Sequence, residues 1–538
     1  MDARPMSPRS GGRSRPREVP LMPVVVGVAL LSLAIGLVNV HARNPNARSA
    51  SGAPADNAVA NTAPADTAPV VTVTTLPRGP AIPSGFLGLS LEYPAIKTYA
   101  GSSPKSINPV FVRLVRNLTP GQRPVMRIGG DSADWSWWPA PGISRPPGVT
   151  YAIDEDWLRV TSALVHELGA QVLLGLNLAA NSTAMASDEA RALIGGIGSS
   201  SVLAFELGNE PELYGLFPWY RTREGKPVTS RPSGYDFASF LQDFSAFGAA
   251  LRGVALAGPT TGGAGWTAQL GQFLAAEPQI KLVTLHRYPT QLCYSTPGSR
   301  SYPTIGHLLS PRASTGLANS FAPSVAIADD HGLGLRVDEL NTVSCGAAPA
   351  VSQTFASALW ALDTLFELIR VGVEGVNIHT FPGAGYQLFS FNQANGRWHA
   401  WVAPEYYGLL MFADAAPPGA RILDVSGQSS SGLKVWATWT PDRKVRIVLI
   451  NKNATQARAL ALRAPGTRGA GVLERLLAPS VRSDSGVTLG GQSFGSQTDT
   501  GTLQGAPQTT AVKPDQGHYA ITVPPGSAAL LTLQGADG

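Results

Sequence analysis

Two glutamates carry the chemistry most readily assigned in this chain. Glu210 closes the run Val202-Leu-Ala-Phe-Glu-Leu-Gly-Asn-Glu before Pro211, and Glu339 closes Leu335-Arg-Val-Asp-Glu. A carboxyl just past a buried strand stands at the strand's C-terminal mouth, where β/α barrels keep their active sites. One protonated and one ionised carboxyl are the minimum equipment for cleaving a glycosidic bond, and a separation of about 5 to 5.5 Å gives cleavage with retention. Glu206 and Asp338 compete within the same two runs. Strand alternation is expected to send Asp338 and Glu339 to opposite faces, so the strand-terminal residue of each run is preferred. That makes Glu210 the expected general acid/base and Glu339 the expected nucleophile.

Several residues are candidates to support this pair. Asn209 is placed to bond a sugar hydroxyl, and Pro211 stiffens the turn that aims Glu210. The stretch Arg127-Ile-Gly-Gly-Asp131-Ser-Ala-Asp134-Trp135-Ser-Trp137-Trp138 follows another apolar run. Its glycines admit a ligand close to the backbone, Asp131 offers hydrogen bonds, and Trp135 offers a face to a sugar ring. Arg127 is suited to pairing with a catalytic carboxylate and keeping it ionised. His286-Arg-Tyr288 ends a further run, with Tyr288 poised to steady the nucleophile. Glu92 ends the first run as a hydroxyl binder. A tryptophan or histidine taken singly is equally compatible with plain core packing.

These residues need a scaffold that brings distant strand ends together. Short apolar runs alternate with longer amphipathic ones, the pattern of β/α units. Eight strands are expected: 86–91, 125–129, 172–178, 202–207, 254–257, 282–286, 335–339 and 376–380. Eight is the number that closes a (β/α)8 barrel. Asp154 caps a helix whose stripe Trp157, Thr161, Leu164, Val165 and Leu168 ends at Gly169, and Phe355, Leu359, Leu362, Phe366 and Ile369 mark another. Beyond residue 413 the helical period gives way to alternation, as in 435–440 and 445–450 around Pro441-Asp442, which predicts an all-β sandwich. The expected organisation is a leader over 1–42, a linker over 43–68, a strand over 69–80 joining the sandwich, the barrel over 81–412 and the sandwich over 413–538. A Gly/Ser/Gln/Thr-rich stretch, 486–505, falls inside the last.

The formal net charge is +5, and +3 of it lies in residues 1–42, so the body is nearly neutral and nucleic acid is not an expected partner. Five arginines precede an apolar run over 21–38, long for a signal peptide and close to the ~20 residues of a membrane span. Either a cleaved signal or an anchor exports the body, because the arginines stay inside. The two cysteines, Cys293 and Cys345, are an even pair in an exported chain, each shortly after a barrel strand, and a disulfide between those loops is expected; two separate buried thiols are the alternative. Asn117, Asn181 and Asn453 head glycosylation sequons. No metal or nucleotide motif is present in the sequence, and no cofactor is expected.

Leu-Gly-Asn-Glu-Pro, Arg-Ile-Gly-Gly-Asp-Ser-Ala-Asp, His-Arg-Tyr-Pro and Val-Asp-Glu-Leu-Asn-Thr-Val-Ser-Cys-Gly, in this order, resemble glycoside hydrolase family 79, from about residue 80 to the C-terminus. The resemblance implies a barrel with a β-sandwich, Glu210 as acid/base and Glu339 as nucleophile. It also implies that Cys345, Gly346 and Tyr386 grip a glucuronate carboxylate, and backbone amides suffice for that. Few clustered basic residues occur over 81–412, which favours an exo-β-glucuronidase over a heparanase-like endo enzyme acting on sulfated chains. A xylanase- or glucosidase-type barrel with the same two glutamates is a second reading, and an exported, non-catalytic carbohydrate-binding protein a third. A carbohydrate is the expected partner in all three.

Overall fold

The structure is a computed structural model and describes residues 68–427 and 432–535. The N-terminal arginines, the apolar run over 21–38 and the linker up to residue 67 lie outside the described residues.

Eight parallel strands close into a barrel: β1 (Leu87–Glu92), β2 (Val125–Gly129), β3 (Gln171–Leu176), β4 (Val202–Leu207), β5 (Leu256–Thr261), β6 (Ile280–Arg287), β7 (Leu335–Leu340) and β8 (Gly375–His379). Each pairs with its neighbours in sequence, and β8 returns to β1 through Val376 opposite Leu87. Helices cover the outside, so the strands are buried on both faces and read as continuous apolar runs. The fifth strand, expected over 254–257, instead begins at Leu256 and runs through Gly258-Pro259 to Thr261. Its pairing with β6 shifts register at the proline, where an irregular strand tolerates a missing donor.

The helix Glu155–Leu168 shows how local signals set these elements. The Asp154 side chain accepts from the Trp157 N–H, and Gly169 ends the helix at φ 62°. Trp157, Thr161, Leu164, Val165 and Leu168 all face inward and are buried.

The C-terminal domain is a ten-stranded sheet. Val71, Val435, Ile447, Leu462, Ile521 and Leu531, from strands across its whole width, share one core, so the sheet folds face to face as a sandwich. The strand Val70–Arg78 belongs to it, antiparallel to Arg421–Ser426 and parallel to Arg458–Arg463. Leu433–Trp439 and Lys444–Asn451 form the central hairpin. Alternation along it sends Val435 and Ala437 into the sandwich and Trp436 towards the barrel, where its ring stacks 5.5 Å from Phe366 and its N–H meets Asp363 at 2.8 Å. Lys452 pairs with the same buried Asp363 at 2.6 Å, so the interface satisfies its charges. The stretch 486–505 also leaves the sandwich for the barrel: Thr498 exchanges backbone bonds with Ala400, and the Phe494 N–H donates to Tyr407.

Past the barrel, β6 and β7 continue as a two-stranded parallel ribbon, Thr290–Gln291 beside Val343–Ser344. The Cys293–Cys345 disulfide staples its end. Closing a loop of 52 residues restricts the unfolded chain by an amount on the order of 4 kcal/mol.

Candidate active site

Glu210 is held in an unusual conformation. β4 ends at Leu207, and the chain turns sharply through Gly208, where a Cβ would lie 2.0 Å from the Tyr214 hydroxyl. Glu210 then takes φ 45° and ψ 57°, left-handed values that cost a non-glycine residue roughly 1–3 kcal/mol. Pro211 follows and starts a short 3-10 helix, and the Glu210 N–H is fixed on the Thr260 carbonyl of β5 at 3.0 Å. The strain turns the side chain across the barrel mouth.

Glu339 faces it from β7. One oxygen of each carboxylate and a nitrogen of His286 lie within 4.8 Å of one another. Arg127, fully buried at the barrel centre, donates to Glu339 Oε2 from Nη1 at 2.6 Å and to Glu206 Oε2 from Nε at 2.7 Å, and its Nε lies 3.1 Å from Asp338. The Tyr288 hydroxyl donates to Glu339 Oε1 at 2.8 Å. Burial works against ionising Glu339, but His379, His286 and Arg127 outweigh it and hold its carboxyl well below the usual carboxylate range. It is an ionised carboxylate at the barrel mouth.

Strict alternation fails at this point. Asp338 and Glu339 both reach Arg127, because the pairing of β7 shifts register on both sides, between Leu285 and His286 of β6 and between Val337 and Leu340 towards β8. Such irregularity swings two successive side chains to one side. Asp338 and Glu206 are therefore the buried counter-ions beneath the glutamate pair. His286 spans the two layers, with Nδ1 3.2 Å from Glu210 and Nε2 3.2 Å from Asp338. Burial disfavours its charge, yet Asp338 and Glu339 win and raise it well above the ordinary imidazole range.

The remaining candidates surround this cluster. Asn209 accepts from Arg127 at 2.9 Å and donates to Asp131 at 3.0 Å. Asp131 opens towards the cleft, yet burial and then Glu92, Glu339 and Glu210 push its carboxyl up to about 8. Glu92 accepts from the Ser132 N–H at 2.8 Å and lies 3.4 Å from His379. The Tyr386 ring sits 6.0 Å from Tyr288. Gly346 lies in a run of three left-handed residues, Cys345 (φ 64°), Gly346 (φ 93°) and Ala347 (φ 61°), and among the described residues the N–H groups of Gly346 and Ala347 have no hydrogen-bond acceptor. A Cβ on Gly385 would fall 2.8 Å from the Ala347 Cβ, so this loop touches the segment that carries Tyr386. Trp135 stands apart: its carbonyl ties down Thr150 and Tyr151, and no hydrogen bond of the cluster reaches it.

His379 and Glu212 escape the sequence reading. His379 ends β8 much as His286 stands one residue before the end of β6, which is a usable signal. Glu212, which accepts the Gly262 and Gly263 N–H groups, sits in a turn whose sequence gives none. Glu210, His286 and Glu339 have the donor types of a divalent-metal site, but Arg127, Tyr288 and Asp338 already engage two of the three.

Protonation of this cluster couples to stability. Burial, offset in part by Arg127 and reinforced by Asp338, raises Glu206 to about 8, against 4.5 for an ordinary glutamate. A raised group contributes fully below its unfolded value, and the contribution is lost as pH rises through the folded value. Stability should therefore fall from pH about 5 to about 8, by up to about 1.4 kcal/mol per pH unit from Glu206, and the raised His286 adds to the fall only above its ordinary value of 6.5. Thermal unfolding across that range should show it, and Glu206→Gln should flatten the slope; a flat wild-type profile contradicts the assignment.

A (β/α)8 barrel with a β-sandwich, and two glutamates converging on its C-terminal mouth, define a barrel glycosidase. Residues 435–530 match the model of the glycosyl hydrolase family 79 C-terminal beta domain. A curated β-glucuronidase of Neurospora crassa is 21% identical, over 85% of this chain and 95% of its own length. Among solved structures, a 4-O-α-L-rhamnosyl-β-D-glucuronidase from Fusarium oxysporum 12S aligns with TM-score 0.64 at 21% identity, covering 86% of this chain and all of that one. A family 51 arabinofuranosidase from Xanthomonas axonopodis pv. citri aligns with TM-score 0.61 at 15% identity, over 87% of this chain and all of its own. These likenesses make the chain a barrel glycosidase similar to the glucuronidases of glycoside hydrolase family 79, with the family match itself over residues 435–530.

Proposed function

We propose that the chain is a retaining exo-β-glucuronidase, with Glu210 as acid/base and Glu339 as nucleophile. The observation that carries the mechanism is the approach of the two carboxylates to within 4.8 Å, the short separation of retaining enzymes. In the first step Glu339 attacks the anomeric carbon while Glu210 gives its proton to the glycosidic oxygen, and the aglycone leaves. In the second, Glu210 takes a proton from water, whose oxygen displaces Glu339. Each time Glu210 becomes a carboxylate, the His286 imidazolium at 3.2 Å stabilises it.

The uronate preference is supported by the left-handed loop Cys345–Ala347 beside Tyr386, whose free N–H groups suit a carboxylate. Exo action on unsulfated ends is supported by the arginines near the site, which turn inward. Arg127 is buried among acids, Arg231 bonds Asp243 and the Leu178 and Ala179 carbonyls, and Arg287 bonds the Gly262 carbonyl. Export, proposed from the leader, suits the Cys293–Cys345 bridge.

A panel of p-nitrophenyl β-glycosides tests the glycone. The β-glucuronide should exceed the β-glucoside and β-xyloside by roughly 10²-fold or more in kcat/KM, because a carboxylate-shaped subsite left empty loses several hydrogen bonds. A xyloside or glucoside turned over as fast overturns the glucuronidase assignment.

A further inference from the structure

Large exposed apolar side chains are few among the described residues, and three of them lie on loops at the barrel mouth. Leu216 is 62% exposed, Phe217 39% and Tyr294 61%. Phe217 belongs to the loop after β4 and Tyr294 to the loop after β6, yet their rings pack edge to face with centroids 6.1 Å apart. An exposed apolar cluster of this kind marks a binding surface rather than ordinary surface scatter.

Both halves are held rigid. The 3-10 turn that begins at Pro211 carries the chain directly from Glu210 to the cluster, and the Leu216 and Phe217 N–H groups both bond the Leu213 carbonyl, at 2.9 and 3.0 Å. Tyr294 adjoins Cys293, whose disulfide anchors it to the loop after β7. A rigid apolar surface binds without an ordering cost.

We propose that Leu216, Phe217 and Tyr294 form the aglycone platform, and that it takes a flat, apolar ring such as an aryl group. This rests on Glu210 being the acid. The leaving group departs from beside the residue that protonates it, and the platform is built on the loop that begins at that residue. A sugar in this place would need polar partners flanking the aromatic face. The segment Leu216-Phe217-Pro218 offers no polar side chain, and its apolar face against the Tyr294 ring favours an apolar aglycone.

The test compares a p-nitrophenyl β-glucuronide with the β-glucuronosyl fluoride, whose leaving group is a single atom. In the full-length enzyme, Phe217→Ala and Tyr294→Ala should each lower kcat/KM for the aryl substrate by about five- to twentyfold, in line with the worth of one aromatic contact. The fluoride should be hydrolysed at the wild-type rate, and Tyr294→Phe should keep the wild-type ratio of the two substrates. Equal losses on both substrates, or none on the aryl one, overturn the platform. If the wild type instead ignores glucuronides, the glycone reading fails, and the aryl-to-fluoride ratio measured on its preferred glycone still decides the platform.

Discussion

Glu339→Ala should abolish turnover of an aryl glycoside, by roughly 10⁴-fold or more, because no second group lies where the covalent bond must form. The substitution leaves a small gap between Arg127 and Tyr288, both of which contact the missing carboxylate. Azide should enter it and restore part of the rate, attacking the anomeric carbon from the same face and giving the α-glycosyl azide. The neighbouring Asp338 cannot substitute, because it is buried against Arg127 and His286, beneath the mouth. Asp338→Asn should therefore not reproduce the azide effect. Wild-type turnover in Glu339→Ala would falsify the assignment of nucleophile.

The second large effect belongs to Arg127. It pairs at once with Glu206, Asp338 and Glu339, and all three are buried. Arg127→Met keeps much of the volume but strands the ionised Asp338 and Glu339 in a low-dielectric pocket, at a cost of about 3–5 kcal/mol. The melting temperature should fall by several degrees. Residual activity should move to higher pH, because a Glu339 deprived of Arg127 holds its proton more tightly. Arg127→Lys should fall between, since an ammonium supplies charge without the guanidinium fork that spans several carboxylates. Unchanged melting and an unchanged pH profile would mean that Arg127 is a bystander.

Period and chain punctuation make the architecture legible. The eight apolar runs appear as eight strands in chain order, and Asp154 and Gly169 bound their helix because capping is a local matter. The fifth strand, expected over 254–257, reads too short, since neighbouring strands carry the chain on through Gly258-Pro259 to Thr261. The site is legible where residue type and strand end coincide. Glu210, Glu339, Arg127, Asn209, His286 and Tyr288 share one hydrogen-bonded cluster. The split between Asp338 and Glu339 cannot be read from alternation, because a register shift is a property of the pairing and leaves no mark in either strand alone. The aromatic platform is equally hidden, since Phe217 and Tyr294 are far apart in sequence and meet only when the barrel closes.

The most direct test traps the intermediate. Wild-type enzyme incubated with a 2-deoxy-2-fluoro-β-glucuronosyl fluoride should gain the mass of one fluorosugar per chain, and peptide mapping should place it on Glu339. A label on any other residue, or full activity with none attached, contradicts the account.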